Sequence, residues 1–346
     1  MNKSELAPGP AIGPTTSREW LRLLAPYREP NHMRSFGELI LTGTIFAALW
    51  VAAWLAYSVS YWLTLGISVL AAGTLVRLFM IQHDCGHGAF FRRRVINDWV
   101  GRVIGVLTMT PYKVWRHSHS THHATSSNLG KRGVGDIDTL TVREYQALSR
   151  ARRLIYRLYR SPLIIFGIGP AFQFILRNRL PQFIRRDGWA NWASAMGTNL
   201  TILIVAGVMI YAIGVGPFLL VHMPIIMLAS SIGVWLFYVQ HQFEDTYWSE
   251  NQAWTLEDAA FQGSSHYALP WPLRWFTANI GVHHVHHLQS RIPYYRLPQV
   301  LRDFPELAEV RRMTLVQSFA CARLRLWDEG RSKLVTFAKA REQQAD

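Results

Sequence analysis

Residues 61–87 read Y-W-L-T-L-G-I-S-V-L-A-A-G-T-L-V-R-L-F-M-I-Q-H-D-C-G-H, an apolar run closed by two histidines four positions apart. From about Tyr61 to Gln82 the run holds a single charge, Arg77. A bilayer core of about 30 Å takes roughly 20 mostly apolar residues in a helix. The segment therefore predicts a membrane span with a histidine pair at its end. His83 and His87 share one helical face, because residues four apart are neighbours on a helix.

Three more runs qualify as spans, at about 39–57, 195–215 and 217–240. The gaps within each pair are only S-V-S and G-V-G, which predicts two tight helical hairpins. Five Lys/Arg precede the first span, eighteen lie between the second and third, and twelve follow the fourth. Neither hairpin turn carries any, so the positive-inside rule puts both termini and the central region on the cytoplasmic side, in a bacterial inner membrane. A soluble protein with four long core helices would seldom sort its charges this way. Arg77 either snorkels to the interface or pairs inside the bundle. The shorter runs Val100–Met109 and Leu163–Leu176 predict helices in the interface or under the site.

Composition agrees with this division. Half of the 346 residues are hydrophobic, yet the formal charge is +14. Topology and lipid headgroups are one reading of that charge, Arg92, Arg93 and Arg94 being well placed for anionic lipid, and an acidic redox partner is the other; no nucleic-acid partner is expected. Two cysteines without a C-x-x-C pair exclude a disulfide framework and thiolate metal chemistry. No signal peptide is visible in the first 30 residues, and residues 7–16 read as a mobile arm. The expected organisation is an arm at 1–35, a membrane unit at 36–300 and a C-terminal tail at 301–346. The fold class is all-α: four transmembrane helices in two hairpins, with a cytoplasmic helical cap over a metal site.

Ten of the fourteen histidines fall in three clusters: H-D-C-G-H at 83–87, H-S-H-S-T-H-H at 117–123 and H-H-V-H-H at 283–287. His119, His122 and His123 stand at i, i+3 and i+4, and so do His283, His286 and His287. Each cluster thus aims two or three ring nitrogens at one point, while His117 and His284 are off phase. Eight imidazoles exceed the four ligands usual for zinc and suit a pair of ions, with iron, copper, nickel and zinc all open on this ground. Each cluster sits among aromatic and apolar residues, which fits a packed site better than a metal-buffering tract.

These three motifs, in this order and beside paired spans, resemble the membrane-bound fatty acid desaturases. H-D-C-G-H-G is similar to the acyl-lipid, omega-6-type branch, W-R-H-S-H-S-T-H-H to its second box, and N-I-G-V-H-H-V-H-H-L-Q-S-R-I-P-Y-Y to its third. The resemblance covers about residues 35–300. It implies an oxygen-dependent enzyme with two iron ions and O₂ as co-substrate, held by His83, His87, His119, His122, His123, His283, His286 and His287. A further ligand of the family points to His241 in F-Y-V-Q-H-Q-F-E. His32 and His266 are expected on the surface or behind the ligands, and His222 on the non-cytoplasmic side.

An unactivated methylene has no acidic proton and no leaving group, so the difficult chemistry belongs to a cofactor. The protein must seat one C–C bond beside the ions, exclude water, and hold each ring with a partner on its other nitrogen. Asp84, Asp136, Asp138 and Asn279 are the candidate partners. Thr141 and Glu144 fit a capping box, so the acids at 136 and 138 equally fit a turn before a helix. Residues 142–159 read as one basic amphipathic helix on the membrane surface. No H-P-G-G haem-binding stretch occurs, so the electron donor is external, and a basic face suits an acidic protein such as a ferredoxin. The acyl substrate is lipid-linked, carrier-protein-linked or CoA-linked. A hydroxylase or carotenoid ketolase using similar motifs is the near alternative, and a metal transporter or sensor the distant one.

Overall fold

The computed structural model of the protein describes residues 17–180 and 188–342; residues 7–16, read above as a mobile arm, lie outside them. A short helix α1 (Ser17–Leu24) precedes two long ones, α2 (His32–Tyr57) and α3 (Tyr61–His87). A cap follows with α4 (Arg94–Leu107), α5 (Tyr112–Thr125), α6 (Val142–Ala147), α7 (Arg150–Tyr159) and α8 (Ile164–Arg177). The second long pair is α9 (Trp189–Ile213) and α10 (Val215–His241). Beyond it come α11 (Leu256–Phe261), α12 (Trp271–Phe276), α13 (His283–Leu288), α14 (Leu297–Asp303), α15 (Leu315–Cys321) and α16 (Lys339–Glu342), with four three-residue strands between them.

α2, α3, α9 and α10 are each long and apolar enough to cross a membrane, and they form the two hairpins expected. α3 is the most buried of the four and α9 the least. Leu203 and Val208 of α9 face outward, as an all-round apolar helix does when its solvent is lipid. Both hairpins have tight turns, the second closing on Gly214 alone at φ 86°.

The helices extend beyond the hydrophobic limits at the end that carries the cap. α2 begins at His32, where the Asn31 side chain accepts from the Arg34 N–H. α3 runs on through its histidine pair to His87, and Gly88 ends it in the left-handed region at φ 68°. Hydropathy stops at the first polar residue, but a helix continues wherever the cap satisfies that residue. His83, His87 and His241 consequently sit on the ends of spanning helices.

Arg77 pairs inside the bundle. Its Nη2 donates to Glu38 Oε2 at 2.5 Å, Nη1 donates to the Trp275 carbonyl, and the guanidinium lies 4.4 Å from the Trp275 ring centre. This brace joins α2 and α3 to α12.

Residues 142–159 are two helices rather than one, which corrects the sequence reading. Leu148 is extended, and Ser149 starts α7 by accepting from the Arg152 N–H. A capping serine in mid-segment is a stop signal that charge periodicity hides. The Thr141–Glu144 capping box is present, and Glu144 also takes two bonds from Arg132. α4 buries Ile104 and exposes Val95, Trp99 and Val103, while α8 contains two π-type turns and meets α7 at a 52° bend.

The described parts of both terminal segments, 17–35 and 301–342, pack on this body. Trp20 of α1 is buried against Phe261 and Phe304, although it belongs to the 1–35 arm. Within 301–342, strand Arg312–Thr314 pairs in parallel with His266–Ala268. The hairpin Leu326–Asp328/Lys333–Val335 is fastened by Trp327 N–H donating to the Leu140 carbonyl. Fully buried Arg160 completes the fastening by donating to the Leu324 carbonyl and to Gln242 Oε1.

Candidate metal centre

α3 and α10 deliver His83, His87 and His241 from the bundle, while α5 and the six-residue α13 deliver the rest from the cap. The glycines of H-D-C-G-H-G have defined tasks. A Cβ on Gly86 would stand 2.7 Å from the Trp115 ring, so its absence lets α5 approach α3. Trp115 in turn stacks on His119, with ring centres 4.6 Å apart.

The nine histidines assemble into two groups, His83, His87, His119, His123 and His286 in one, and His122, His241, His283 and His287 in the other. His83 and His87 serve a single group, as their spacing suggested, but the second and third clusters each divide between the two. The helical angle explains the division. A residue at i+4 lies about 40° from i, whereas i+3 lies about 60° to the other side. His119 and His123 turn together into the first group while His122 turns to the second. His283 and His287 turn together into the second while His286 turns to the first. His117 is exposed, and His284 is buried beside the Leu307 and Ser265 carbonyls, its pKa lowered by burial to about 3; neither joins a group.

In the first group, Nε2 of His119 lies 3.0 Å from that of His87 and 3.1 Å from that of His123, which is 3.1 Å from His286 Nε2. In the second, His241 Nε2 lies 3.2 Å from His122 Nε2 and 2.9 Å from His283 Nε2, itself 3.1 Å from His287 Nε2. Two nitrogens about 2.1 Å from one ion and at right angles are about 3.0 Å apart. Burial, reinforced by neighbouring histidines, holds His119, His123, His283, His286 and His287 well below the ordinary imidazole pKa, so they offer lone pairs.

The outer nitrogens sharpen the point. His122 Nδ1 donates to Asp136 Oδ1 at 2.5 Å, and His241 Nδ1 donates to the Gly263 carbonyl at 3.0 Å. With Nδ1 of each ring committed to its acceptor, the two rings turn their Nε2 atoms toward each other, an arrangement that a cation between them makes favourable. The donor set fits metal ions. His83 Nδ1 meets Asp84 Oδ1 at 3.1 Å, and Asp84 Oδ2 accepts the Tyr294 N–H at 2.7 Å.

The remaining two partner candidates do not reach the rings. The Asp138 N–H donates to the Tyr159 hydroxyl, and among the described residues no hydrogen bond joins its carboxylate to a histidine. Asn279 Nδ2 donates to the Tyr294 carbonyl instead. The Gly263 carbonyl has no signal in the sequence, since any residue carries one. His266 Nδ1 donates to the Ala308 carbonyl, His32 lies against Phe91, and His222 accepts from Trp50 Nε1 at 3.4 Å, eight residues into α10 from the hairpin turn. Because the histidine groups gather at one end of the bundle and not along it, a transport path is not what they build.

A cavity of about 790 Å³ opens beside the groups, and His83, His119 and His283 form part of its wall. The rest is mainly apolar, with Phe79, Met80, Trp115, Ile165 and Phe237 among its lining residues. It follows α10 from Ile226 to Gln240, a distance of about 21 Å along the helix.

The family model for fatty acid desaturases matches residues 60–318. A fatty acid desaturase of Bacillus subtilis is 45% identical over 321 residues, covering 92% of this chain and 90% of that protein. The sn-1 oleoyl-lipid 12-desaturase of Synechocystis is 27% identical, covering 68% of this chain and 67% of that protein. The sn-1 acyl-lipid omega-3 desaturase (ferredoxin) of Nostoc is 26% identical, covering 78% and 74%.

Proposed function

The chain belongs to the fatty acid desaturase family, and from that premise we propose that it desaturates the acyl chain of a membrane lipid, using two iron ions, O₂ and an external ferredoxin-like donor. The observation that carries this reading is the apolar cavity whose wall includes His83, His119 and His283. The five-histidine group would hold one iron and the four-histidine group the other. When bound, the irons supply the activation of O₂ needed to break unactivated C–H bonds. Overall, –CH₂–CH₂– with O₂, two electrons and two protons gives –CH=CH– and two waters.

The chain's own residues do the rest. The cavity wall holds the acyl chain extended along α10 and keeps bulk water from the reacting carbons. Asp84, Asp136 and the Gly263 carbonyl hold Nδ1 protons of His83, His122 and His241, so that each Nε2 faces inward. Trp115, stacked on His119, fixes that ring and forms part of the acyl wall. The lipid-linked substrate and the ferredoxin donor follow from the names of the cyanobacterial relatives and from the basic charge of the chain. Charge placement also orients the cap and both termini toward the cytoplasm.

The test is a fatty-acid profile by gas chromatography and mass spectrometry in a bacterial host supplied with a ferredoxin system. The wild-type chain should give a new unsaturated acyl chain on extracted lipid, absent with His122→Ala. A hydroxylated product would assign the protein to oxygen insertion instead.

A further inference from the structure

Behind the four-histidine group lies a second, much smaller cavity. Its wall includes His122, Ser126, Asp136, His241 and Trp248. It offers about 10 Å³ of space to a water molecule, close to the one probe sphere, about 10–15 Å³, that a single buried water needs. Three polar atoms of its lining residues are buried and lack a hydrogen-bond partner among the described residues: Asp136 Oδ2, Ser126 Oγ and Trp248 Nε1.

The fold brings these atoms together by design of the backbone. After α5 the chain pairs with the segment beyond α10, Leu129 N–H donating to the Ser249 carbonyl and Ser249 N–H to the Ser127 carbonyl, both at 2.9 Å. That pairing brings Ser126 and Trp248 into the wall of one cavity, while Trp254 Nε1 donates to the Ser126 carbonyl at 2.8 Å. Asp136 arrives on the loop that Arg132 ties to Glu144. Its Oδ1 is committed to His122, so Oδ2 is the atom that needs a donor.

We propose that this cavity is a built water site, and that Trp248 and Ser126 are positioning residues that act through one ordered water on Asp136 and so on His122. The water accepts from Trp248 Nε1–H and donates to Asp136 Oδ2 and Ser126 Oγ, three bonds in all, the usual number for a buried water. A carboxylate held at only one oxygen can still rotate about Cβ–Cγ. Holding Oδ2 fixes its plane, and with it the Nδ1–H of His122 and the aim of Nε2 into the four-histidine group. The proposal rests on the reading that this group holds an iron.

The experiment uses the full chain in detergent, loaded anaerobically with Fe(II). Trp248 is replaced by 3-benzothienylalanine, which keeps the shape of the indole but has sulfur where the N–H stands. Ser126→Ala is the second variant. Iron per chain and its loss to a chelator are followed by elemental analysis, with Mössbauer spectra to distinguish the two sites. The expected result is one iron lost about tenfold faster in the benzothienyl variant, at the low end of the 10–100-fold typical of partners behind a ligand. The other iron and the thermal midpoint stay as in wild type, and Ser126→Ala shifts the same iron by less. Equal retention in all three chains overturns the proposal while leaving the two-iron reading intact. A wild-type chain that takes up no iron overturns both. A high-resolution structure with a dry cavity overturns the water site directly.

Discussion

The five-histidine and four-histidine groups draw on the same motifs but are braced from different directions. In the first, Asp84 stands behind His83, takes the Tyr294 N–H on its other oxygen, and Tyr294 reaches Glu38 with its hydroxyl at 3.2 Å. Glu38 is paired with Arg77, so the orientation of His83 is anchored within α2 and α3. In the second, His122 and His241 lean on Asp136 and on the Gly263 carbonyl, both carried by cap loops. His283 Nδ1 and His287 Nδ1 are buried without a partner among the described residues. The partner behind His83 is anchored in the bundle, and those behind His122 and His241 in the cap.

The largest effects should come from removing ligands. His286→Ala and His241→Ala should each lower product formation by at least about 100-fold, and each should cost one iron, from the first and second group respectively. His122→Ala should abolish activity while His117→Ala keeps much of it. If iron loss did not follow the group, the division of ligands would be wrong.

Next in size is the bundle brace. Glu38→Ala leaves Arg77 buried without its carboxylate, a loss of about 3 kcal/mol or more. Thermal melting in detergent should show it, whereas Asp136→Ala should lower activity with a much smaller change in melting. Equal melting of the two variants would erase the contrast between bundle and cap.

A smaller effect tests the cavity that both groups share. Gly233 lines it, and a Cβ there meets nothing within 4 Å. Gly233→Leu should therefore fill space without displacing the helix, and depress turnover of the longest acyl chains about tenfold relative to shorter ones. Product chain lengths read it directly, and an unchanged distribution would move the acyl chain elsewhere.

The smallest concerns the loop that carries Asp136. Hydrogen bonding to Arg132 holds the Glu144 carboxyl below the ordinary range. Its contribution is therefore present above the ordinary carboxylate pKa and lost as pH falls through the lowered value. Hydrogen exchange of residues 132–141 should rise over that acidic interval, and Glu144→Gln should remove the pH dependence.

Much of this was legible in the chain. The second span and its histidine pair read correctly because a spanning helix must be apolar and because i and i+4 share a face. The capping box at Thr141–Glu144 was legible for the same reason, being local. The break at Ser149 was missed because basic residues continue across it, and a cap shows itself only when the backbone turns. Asp84 and Asp136 were picked out beside Asp138 and Asn279 on residue type alone. Type cannot say which carboxylate faces a ring and which faces solvent.

By itself the sequence determined the four spans, their pairing and most of the histidines that gather into the two groups, since hydropathy and helical periodicity are local and survive without neighbours. The tertiary structure decided how nine imidazoles divide. His122 and His286, each at i+3, cross to the group their own i and i+4 neighbours do not serve, because α5 and α13 meet their partners from different sides. It also decided which backbone carbonyl holds His241 and which residues enclose the apolar cavity. Those are relations between separate segments, 22 residues apart for His241 and Gly263 and 163 for His123 and His286, and no local pattern records them.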